Sequence, residues 1–282
     1  MKLSDKLFLV LCLAATVFGL LVLSALIVYT FYEALGWLDL QFLTSPPSRF
    51  PEKAGIYPAL VSSIYMITLV GIFVLPLGVG AALYLEEYAK KGKLTRIIDV
   101  NISNLAAVPS IVYGLLGIGL FVATFKLKPG TVLVGALTLT LLVVPIVIVT
   151  AQEALRAVPQ SVREASFALG ATKWQTIKEV VLPQAFPGIL TGVILALSRA
   201  IGETAPLIMV GMATTVFVAP KDIFSPATAM PLQIFMWTDM PQEGFLHGVA
   251  PAGVIVLLAV MLSMNALAIY LRNRFYRKLK GW

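Results

Sequence analysis

Long stretches of mostly apolar residues recur along this chain, separated by short polar breaks that are rich in proline and glycine. A helix needs about 20 apolar residues to cross a hydrocarbon layer roughly 30 Å thick, and each stretch is long enough to do so. The composition agrees, because 59% of the 282 residues are hydrophobic and 12% are charged. Soluble domains average about 45–50% apolar and about 25% charged residues. The sequence therefore predicts an all-α polytopic membrane protein.

The apolar stretches predict six transmembrane helices within one permease-like domain that covers residues 1–282. The predicted spans are residues 7–32, 56–84, 102–125, 131–150, 188–219 and 248–271. Segment 151–187 is predicted to lie between the fourth and fifth spans as the longest inner connection. The first apolar stretch exceeds the roughly 7–15 residues of a signal peptide and has no convincing cleavage site, so we expect it to remain as a span.

The distribution of basic residues predicts the orientation. With the N-terminus in the cytoplasm, fifteen of the 21 Lys and Arg residues fall on the inner side. Those on the outer side are Arg49, Lys53, Lys126, Lys128 and Lys221. This excess of positive charge inside predicts that both termini are cytoplasmic. The net charge of +7 is then mostly a topology signal, and no basic soluble domain is present that would favour nucleic-acid binding.

Isolated residues of other types favour structural roles. Cys12 has no second cysteine with which to form a disulfide, and His247 is the sole histidine, so no metal site is expected. Pro109 is expected to kink the third span, as Pro76 and Pro145 kink the second and fourth.

Small residues at helical spacing favour close packing in the fifth span. Gly188 and Gly192 are four residues apart, which places both on one face of a helix. Without side chains they let a neighbouring helix approach closely, and we interpret them as packing residues.

The segment 151–187 has the pattern of two short helices joined by a glycine corner. Ser161 and Glu164 have capping-box spacing, and Gly170 is placed to end the first helix in a left-handed conformation. The second helix is predicted to start at Thr172 and to end near Pro183. Two interpretations remain open at this point: an amphipathic pair on the lipid surface, or a knob that docks into a groove on a cytoplasmic partner.

The same segment carries a gapped motif that begins at Glu164 and ends at Pro183. It reads EAS, three residues, G, nine residues, V, one residue, LP. This resembles the EAA motif of bacterial ABC importer permeases, with Ser166 in place of the second alanine and Val180 in place of an isoleucine. The resemblance implies a coupling helix that meets the ATP-binding subunits. By this resemblance the coupling residues are Glu164, Ala165, Gly170 and Pro183.

The chain lacks the G-x-x-x-x-G-K-[ST] sequence that cradles nucleotide phosphates. ATP and Mg are therefore expected on a partner ATPase, with no cofactor in this chain and no catalysis by it.

The stretch LSRAIGETAPL, from Leu197 to Leu207, puts Arg199 and Glu203 near the middle of the fifth predicted span. A charge at that depth costs about 2.5–3.5 kcal/mol on insertion scales, so such side chains face a bundle interior or an aqueous path. Their spacing places both on one helical face. Pro206 removes a helix hydrogen bond and is expected to kink the helix beside them. The pair either fixes the packing of the span or lines a path for an oxyanion.

Two stretches, SRAIGETAPL and FLTSPPSRFPEKAGIYPALVSSIY, closely resemble phosphate ABC transporter permeases of the PstA type, and the resemblance extends over nearly the whole chain. It implies a type I ABC importer permease fold with six transmembrane helices and a cytoplasmic coupling helix in the bacterial plasma membrane. The implied substrate-path residues are Arg199, Glu203 and Thr204. The implied partners are a homologous PstC-type permease, a PstB-type ATPase dimer and a PstS-type phosphate-binding protein, all at the lipid bilayer.

Two alternatives to phosphate import remain at the level of sequence. An ABC permease for sulfate or molybdate would need the same oxyanion chemistry. A secondary transporter or channel would use the midplane pair without ATP. Against the second alternative, the chain has no further acid or histidine deep in a span that could form a proton relay. That alternative also leaves the docking segment unexplained.

Overall fold

The computed structural model describes residues 3–212 and 215–280, and every regular element in those ranges is a helix. The elements used below are α1 (Leu3–Ala34), α2 (Tyr57–Tyr88), α3 (Lys93–Ala106), α4 (Ser110–Thr124), α5 (Val132–Arg156), α6 (Gln160–Ala168), α7 (Lys173–Gly202), α8 (205–212), α9 (Met230–Thr238) and α10 (Ala250–Lys280). Short helices at Leu40–Thr44 and Pro51–Lys53 join α1 to α2. The predicted all-α fold is confirmed.

Five helices in the described residues are long and apolar enough to cross a membrane on their own: α1, α2, α5, α7 and Phe245–Arg274, which includes most of α10. Helices α3 and α4 are long and apolar enough only as a pair, and the chain bends by 104° between them, so the number of crossings is six if this bent pair counts as one span. In α5, 67% of the most apolar window is buried, against none of it in α1. Helix α5 is thus the centre of the bundle, and α1 lies at its edge.

The kink predicted at Pro109 in the span 102–125 is a sharp bend that divides this region into two helices, α3 and α4. Proline has no backbone N–H, so the carbonyl group of Leu105 loses the donor that a continuous helix would supply. This carbonyl accepts instead from the backbone N–H of Val108 at 3.0 Å and from the Tyr113 hydroxyl at 2.8 Å. The phenol of α4 therefore fixes the end of α3 and stabilises the bend.

Helix α7 begins far earlier than the predicted fifth span, and the prediction that a separate helix ends near Pro183 is wrong. A π-helical turn over Ile177–Val181 directly precedes this proline. Such a turn shifts the hydrogen-bond pattern, so the missing N–H of Pro183 is accommodated and the helix continues. The connection between α5 and α7 is accordingly residues 157–172, shorter than the predicted segment 151–187.

The C-terminal part of the predicted span 188–219 is not continuous with α7. The helix ends at Gly202, Glu203 has extended backbone angles (φ −77°, ψ 135°), and helical structure resumes at residue 205 with Pro206 in the first turn. A first-turn N–H has no helical partner in any case, so proline is well tolerated there. The kink predicted beside Pro206 is a complete interruption of the helix.

Close packing of α7 on α5 confirms the interpretation of the two glycines. A Cβ atom at Gly188 would lie 2.7 Å from the Cβ atom of Ala154, and one at Gly192 would overlap the Thr150 side chain. The backbones of α5 and α7 thus approach as closely as glycine permits. This contact sets the height at which the last turn of α7 lies along α5.

We expect Gly192→Ala to destabilise the permease, since the added methyl group overpacks the α5–α7 contact at a cost of about 1–3 kcal/mol. Gly71→Ala is the matched control, because its Cβ atom would lie 3.9 Å from the Leu197 side chain, an ordinary contact. Both substitutions raise helix propensity equally, so the difference in stability between the two variants reports packing. Thermal denaturation of the detergent-solubilised proteins measures it. Equal midpoints for the two variants would contradict the packing assignment.

Candidate functional site

Arg199 and Glu203 form an ion pair at the C-terminal end of α7. The Arg199 Nε atom lies 3.2 Å from Glu203 Oε1, which confirms that the two side chains reach each other. A cation in the last turn is also favoured by the partial negative charge of the free carbonyl groups there. The Arg199 side chain is 44% exposed and that of Glu203 is 16% exposed. The guanidinium therefore keeps an open side that a ligand can approach.

The packing of α7 and α8 places this ion pair near mid-height along the bundle. Gly192 of α7 faces Thr150, and Met212 at the end of α8 lies against Gly135. The interruption between α7 and α8 lies between these two levels, beside the middle of α5. At such depth, non-helical backbone is tolerated where protein or water satisfies it.

Thr204 occupies the interruption together with Glu203. Its carbonyl group accepts the N–H groups of Leu207 and Ile208, each at 3.1 Å, and so begins α8. Pro206 and Leu207 are buried, whereas Thr204 is half-buried. Of the three residues predicted for the substrate path, Glu203 and Thr204 thus form the break and Arg199 lies in the helical turn before it, while Pro206 anchors the far side.

The core side of the α7 terminus is closed. A cavity of about 10 Å³ lies there, lined largely by apolar groups that include Ala200, Ile201 and Leu207. This space is about that of a single water molecule. A tetrahedral oxyanion does not fit in this cavity, so a ligand could reach Arg199 only from its exposed side.

Two side chains beside Arg199 were not identified from the sequence. Tyr113 of α4 is buried and lies within electrostatic range of the guanidinium. Ser198 donates a hydrogen bond to Asn265, which ties α7 to α10 next to the ion pair. Tyr113 could have been suspected as a donor to the carbonyl freed by Pro109 four residues earlier. Asn265 gives no comparable local signal.

The corner between α6 and α7 follows the predicted pattern at its centre. Gly170 has a φ of +84°, and the N–H groups of Gly170 and Ala171 donate to Phe167 and Ser166. This is the Schellman arrangement that ends a helix with glycine in the left-handed region. The start of α7 at Thr172 is also confirmed, by a capping box with Gln175.

The predicted capping box of Ser161 and Glu164 is wrong. Helix α6 begins at Gln160, directly after Pro159, and no side chain caps its N-terminus. The fixed φ angle of proline prepares the chain to enter a helix, so the first turn forms before Ser161. Ser161 consequently lies inside the helix, where its hydroxyl is not at a capping position.

The corner presents apolar side chains to the outside. Leu169 is 89% exposed and Trp174 is 58% exposed. Glu164 and Ala165 are exposed on the same short helix, and a 2.9 Å hydrogen bond between the buried hydroxyls of Ser166 and Thr176 joins α6 to α7. We call residues 164–174 the docking tip. The structure brings Glu164, Ala165 and Gly170 together in it, whereas Pro183 lies ten residues into α7.

Comparison with known proteins gives both a family and a fold. Residues 74–281 match the family model for the binding-protein-dependent transport system inner membrane component. The chain is 32% identical to the probable ABC transporter permease protein YqgI of Bacillus subtilis, over 99% of this chain and 98% of that protein. It is 36% identical to the phosphate transport system permease protein PstA 1 of Mycobacterium tuberculosis, over 82% of this chain and 75% of that protein.

A crystal structure of a bacterial alginate ABC transporter in complex with a periplasmic protein bound to an alginate pentasaccharide is similar to the chain in fold. The TM-score is 0.69 at 14% identity, over 97% of this chain and 96% of that chain. At this identity, the likeness bears on architecture alone.

Proposed function

The chain belongs to the family of binding-protein-dependent transport system inner membrane components, and on that premise we propose that it is the PstA-type permease subunit of an ATP-driven phosphate importer. Its fold is that of the type I ABC importer permeases, and it is a transport subunit, not an enzyme. The proposal of phosphate rests on similarity to phosphate transport permeases and on the chemistry of one site.

The observation that carries the proposal is the half-exposed guanidinium of Arg199 beside the interruption of α7. A guanidinium presents planar, paired donors that match the oxygens of a phosphate ion. Glu203 compensates the arginine when the path is empty and competes with the passing anion. A transport site has to release its cargo, and an arginine with its own carboxylate binds loosely enough to do so.

The geometry of this chain supports its assembly with a second permease subunit. The core side of the α7 terminus is closed, and the open side of Arg199 faces away from the packed helices of this subunit. A homologous PstC-type permease opposite that side would enclose an aqueous path at the seam. A PstS-type protein would deliver phosphate to the outer end of this path.

The docking tip favours the second of the two interpretations left open by the sequence. Its apolar side chains project beyond a corner that is fixed by the Schellman arrangement, the capping box and the Ser166–Thr176 hydrogen bond. A rigid knob of this kind fits a groove on each member of a PstB-type ATPase dimer. ATP and Mg are bound by that dimer. Its closure on ATP pushes the tip, tilts the spans and opens the Arg199 region outward.

This assignment sets the orientation of the chain. The docking tip lies in the cytoplasm, as do both termini, in the plasma membrane of a bacterium. The excess of positive charge on the same side supports this orientation.

Uptake measurements on the complex that copurifies with this chain test the proposed function. In proteoliposomes with ATP in the lumen and binding protein outside, we expect labelled phosphate to accumulate only when both are present. Only anions that the binding protein delivers enter the path. Sulfate or molybdate in large excess should therefore leave phosphate uptake unchanged. Uptake that persists without ATP would identify a secondary transporter, and suppression by sulfate or molybdate would reassign the cargo.

A further inference from the structure

Arg163 joins three helices at the cytoplasmic end of the bundle. It lies on α6, and its Nη2 atom donates to Glu87 Oε1 at the end of α2, at 3.0 Å. The same guanidinium donates to the carbonyl groups of Leu155, in the last turn of α5, and of Val158, just beyond it, at 2.8 and 2.6 Å. Carbonyl groups at a helix terminus lack helical partners. Arg163 therefore caps α5 and binds α2 with one side chain.

The Arg163–Glu87 pair is shielded from solvent. Their side chains are 12% and 11% exposed. A neighbouring pair, Arg156 and Glu86, is as close at 2.7 Å, but the Arg156 side chain is 54% exposed. Exposed pairs contribute little because water screens them, whereas removal of one partner from a shielded pair leaves an uncompensated charge. The chain thus contains a shielded link between α6 and α2 and a more exposed pair between α5 and α2.

The link crosses a gap. A recess of about 610 Å³ separates α6 from the end of α2, with Glu86 and Glu87 on one wall and Gln160, Arg163 and Phe167 on the other. The backbone of α6 packs mainly against the first turns of α7. A side-chain hydrogen bond across the recess therefore connects α6 to α2.

We propose that Arg163 is a positioning residue that transmits displacement of the docking tip to α2 and α5. The tip is continuous with α7, so a push on it moves α7 directly. Helix α7 is packed tightly on α5, and sliding between them would break the contact at Gly188 and Gly192. Arg163 makes α2, α5 and α7 move with the tip as one body. The Arg199 site therefore keeps its geometry while its opening changes from one side of the membrane to the other.

The proposed role of Arg163 rests on the proposed function. Its effect on transmission can be separated from its effect on stability by two variants. Arg163→Met leaves the shielded Glu87 carboxylate without a partner, so this variant is expected to lose stability as well as transmission. Arg163→Met combined with Glu87→Leu removes both charges, and such apolar replacements of a shielded pair are often neutral in stability. The double variant should therefore assemble normally and still lack the link.

Phosphate imported per ATP hydrolysed by the intact complex measures transmission. For the double variant we expect this ratio to fall by about tenfold, within the roughly 5–150-fold range typical of coupling between sites. Arg156→Gln is the matched control, since it removes the exposed pair and should leave the ratio at the unsubstituted value. A double variant with an unchanged ratio would overturn the proposed role of Arg163.

A distance measurement decides the same question without regard to which anion is carried. Spin labels at Ser161→Cys on α6 and Lys90→Cys just beyond α2, in a Cys12→Ser background, report the separation across the recess. In the assembled complex we expect ATP binding to leave this separation constant when Arg163 and Glu87 are present, and to change it in the double variant. A constant separation in both would refute the link. Absent phosphate uptake by the unsubstituted complex would instead refute the proposed function.

Discussion

Replacing Arg199 with alanine is expected to abolish ATP-driven phosphate uptake while the complex still assembles. The side chain is half-exposed at the end of α7 and packs little of the core, so its loss should not unfold the bundle. The anion loses charge-assisted hydrogen bonds of about 1.5–3 kcal/mol each, and Glu203 is left to repel it. We expect uptake to fall by about 100-fold or more, since two such bonds exceed 2.7 kcal/mol. Initial rates at equal levels of assembled complex measure this.

Two further variants separate a path from a structural ion pair. Arg199→Lys keeps the charge but loses the planar pair of donors, and we expect intermediate uptake. Arg199→Ala combined with Glu203→Ala removes both charges. If the pair served packing alone, this neutral combination would restore transport, whereas a path residue leaves it inactive. Uptake near the unsubstituted rate in either alanine variant would contradict the path assignment.

The long apolar helices were predictable because length and hydrophobicity suffice to identify them. Helices α1, α2 and α5 lie where the first, second and fourth apolar stretches were predicted, with differences at their ends. The ends were harder to predict, since a helix can continue beyond the hydrocarbon layer, where apolar residues are no longer required. Helix α5 extends to Arg156, and the carbonyl group of Leu155 in its last turn accepts a hydrogen bond from Arg163.

The interrupted helices were only partly predictable. Proline marked each candidate break, but the effect of a proline depends on its surroundings. Pro109 produces a 104° bend, Pro145 lies within the continuous helix α5, and Pro183 follows a π-helical turn within α7. A donor such as the Tyr113 hydroxyl, or a shifted hydrogen-bond pattern, decides the outcome. Neither is visible in the residues next to the proline.

The contacts at the candidate sites likewise divide into those that the sequence predicts and those that it does not. Arg199 and Glu203 are four residues apart, so their contact was expected from helical spacing, although Glu203 lies just beyond the end of α7. Gly170 and Thr172 are also local signals, and both were placed correctly. The bond between Arg163 and Glu87 joins residues 76 apart in the chain. A contact of that kind depends on how α2, α5 and α6 pack together, which the pattern of one sequence does not specify.

Substituting Gly170 with valine is expected to uncouple ATP hydrolysis from transport. Gly170 holds the docking tip at a φ of +84°, a conformation that costs most residues about 1–2 kcal/mol and β-branched residues more. Apart from the adjoining residues, no atom lies within 4 Å of a Cβ atom built there, so the added Cβ atom meets no other part of the described structure. Its effect is on the backbone, which leaves the left-handed region and redirects α6 relative to α7.

The misdirected tip should still allow the ATPase to hydrolyse ATP while its closure no longer tilts the spans. We expect phosphate imported per ATP to fall by about tenfold, as for loss of a coupling free energy near 1.4 kcal/mol. Gly170→Asn is the matched control, because asparagine tolerates the left-handed region and adds a side chain of similar size. It should keep most of the coupling. Normal coupling in Gly170→Val, or an equal loss in both variants, would show that the left-handed corner is not what directs the tip.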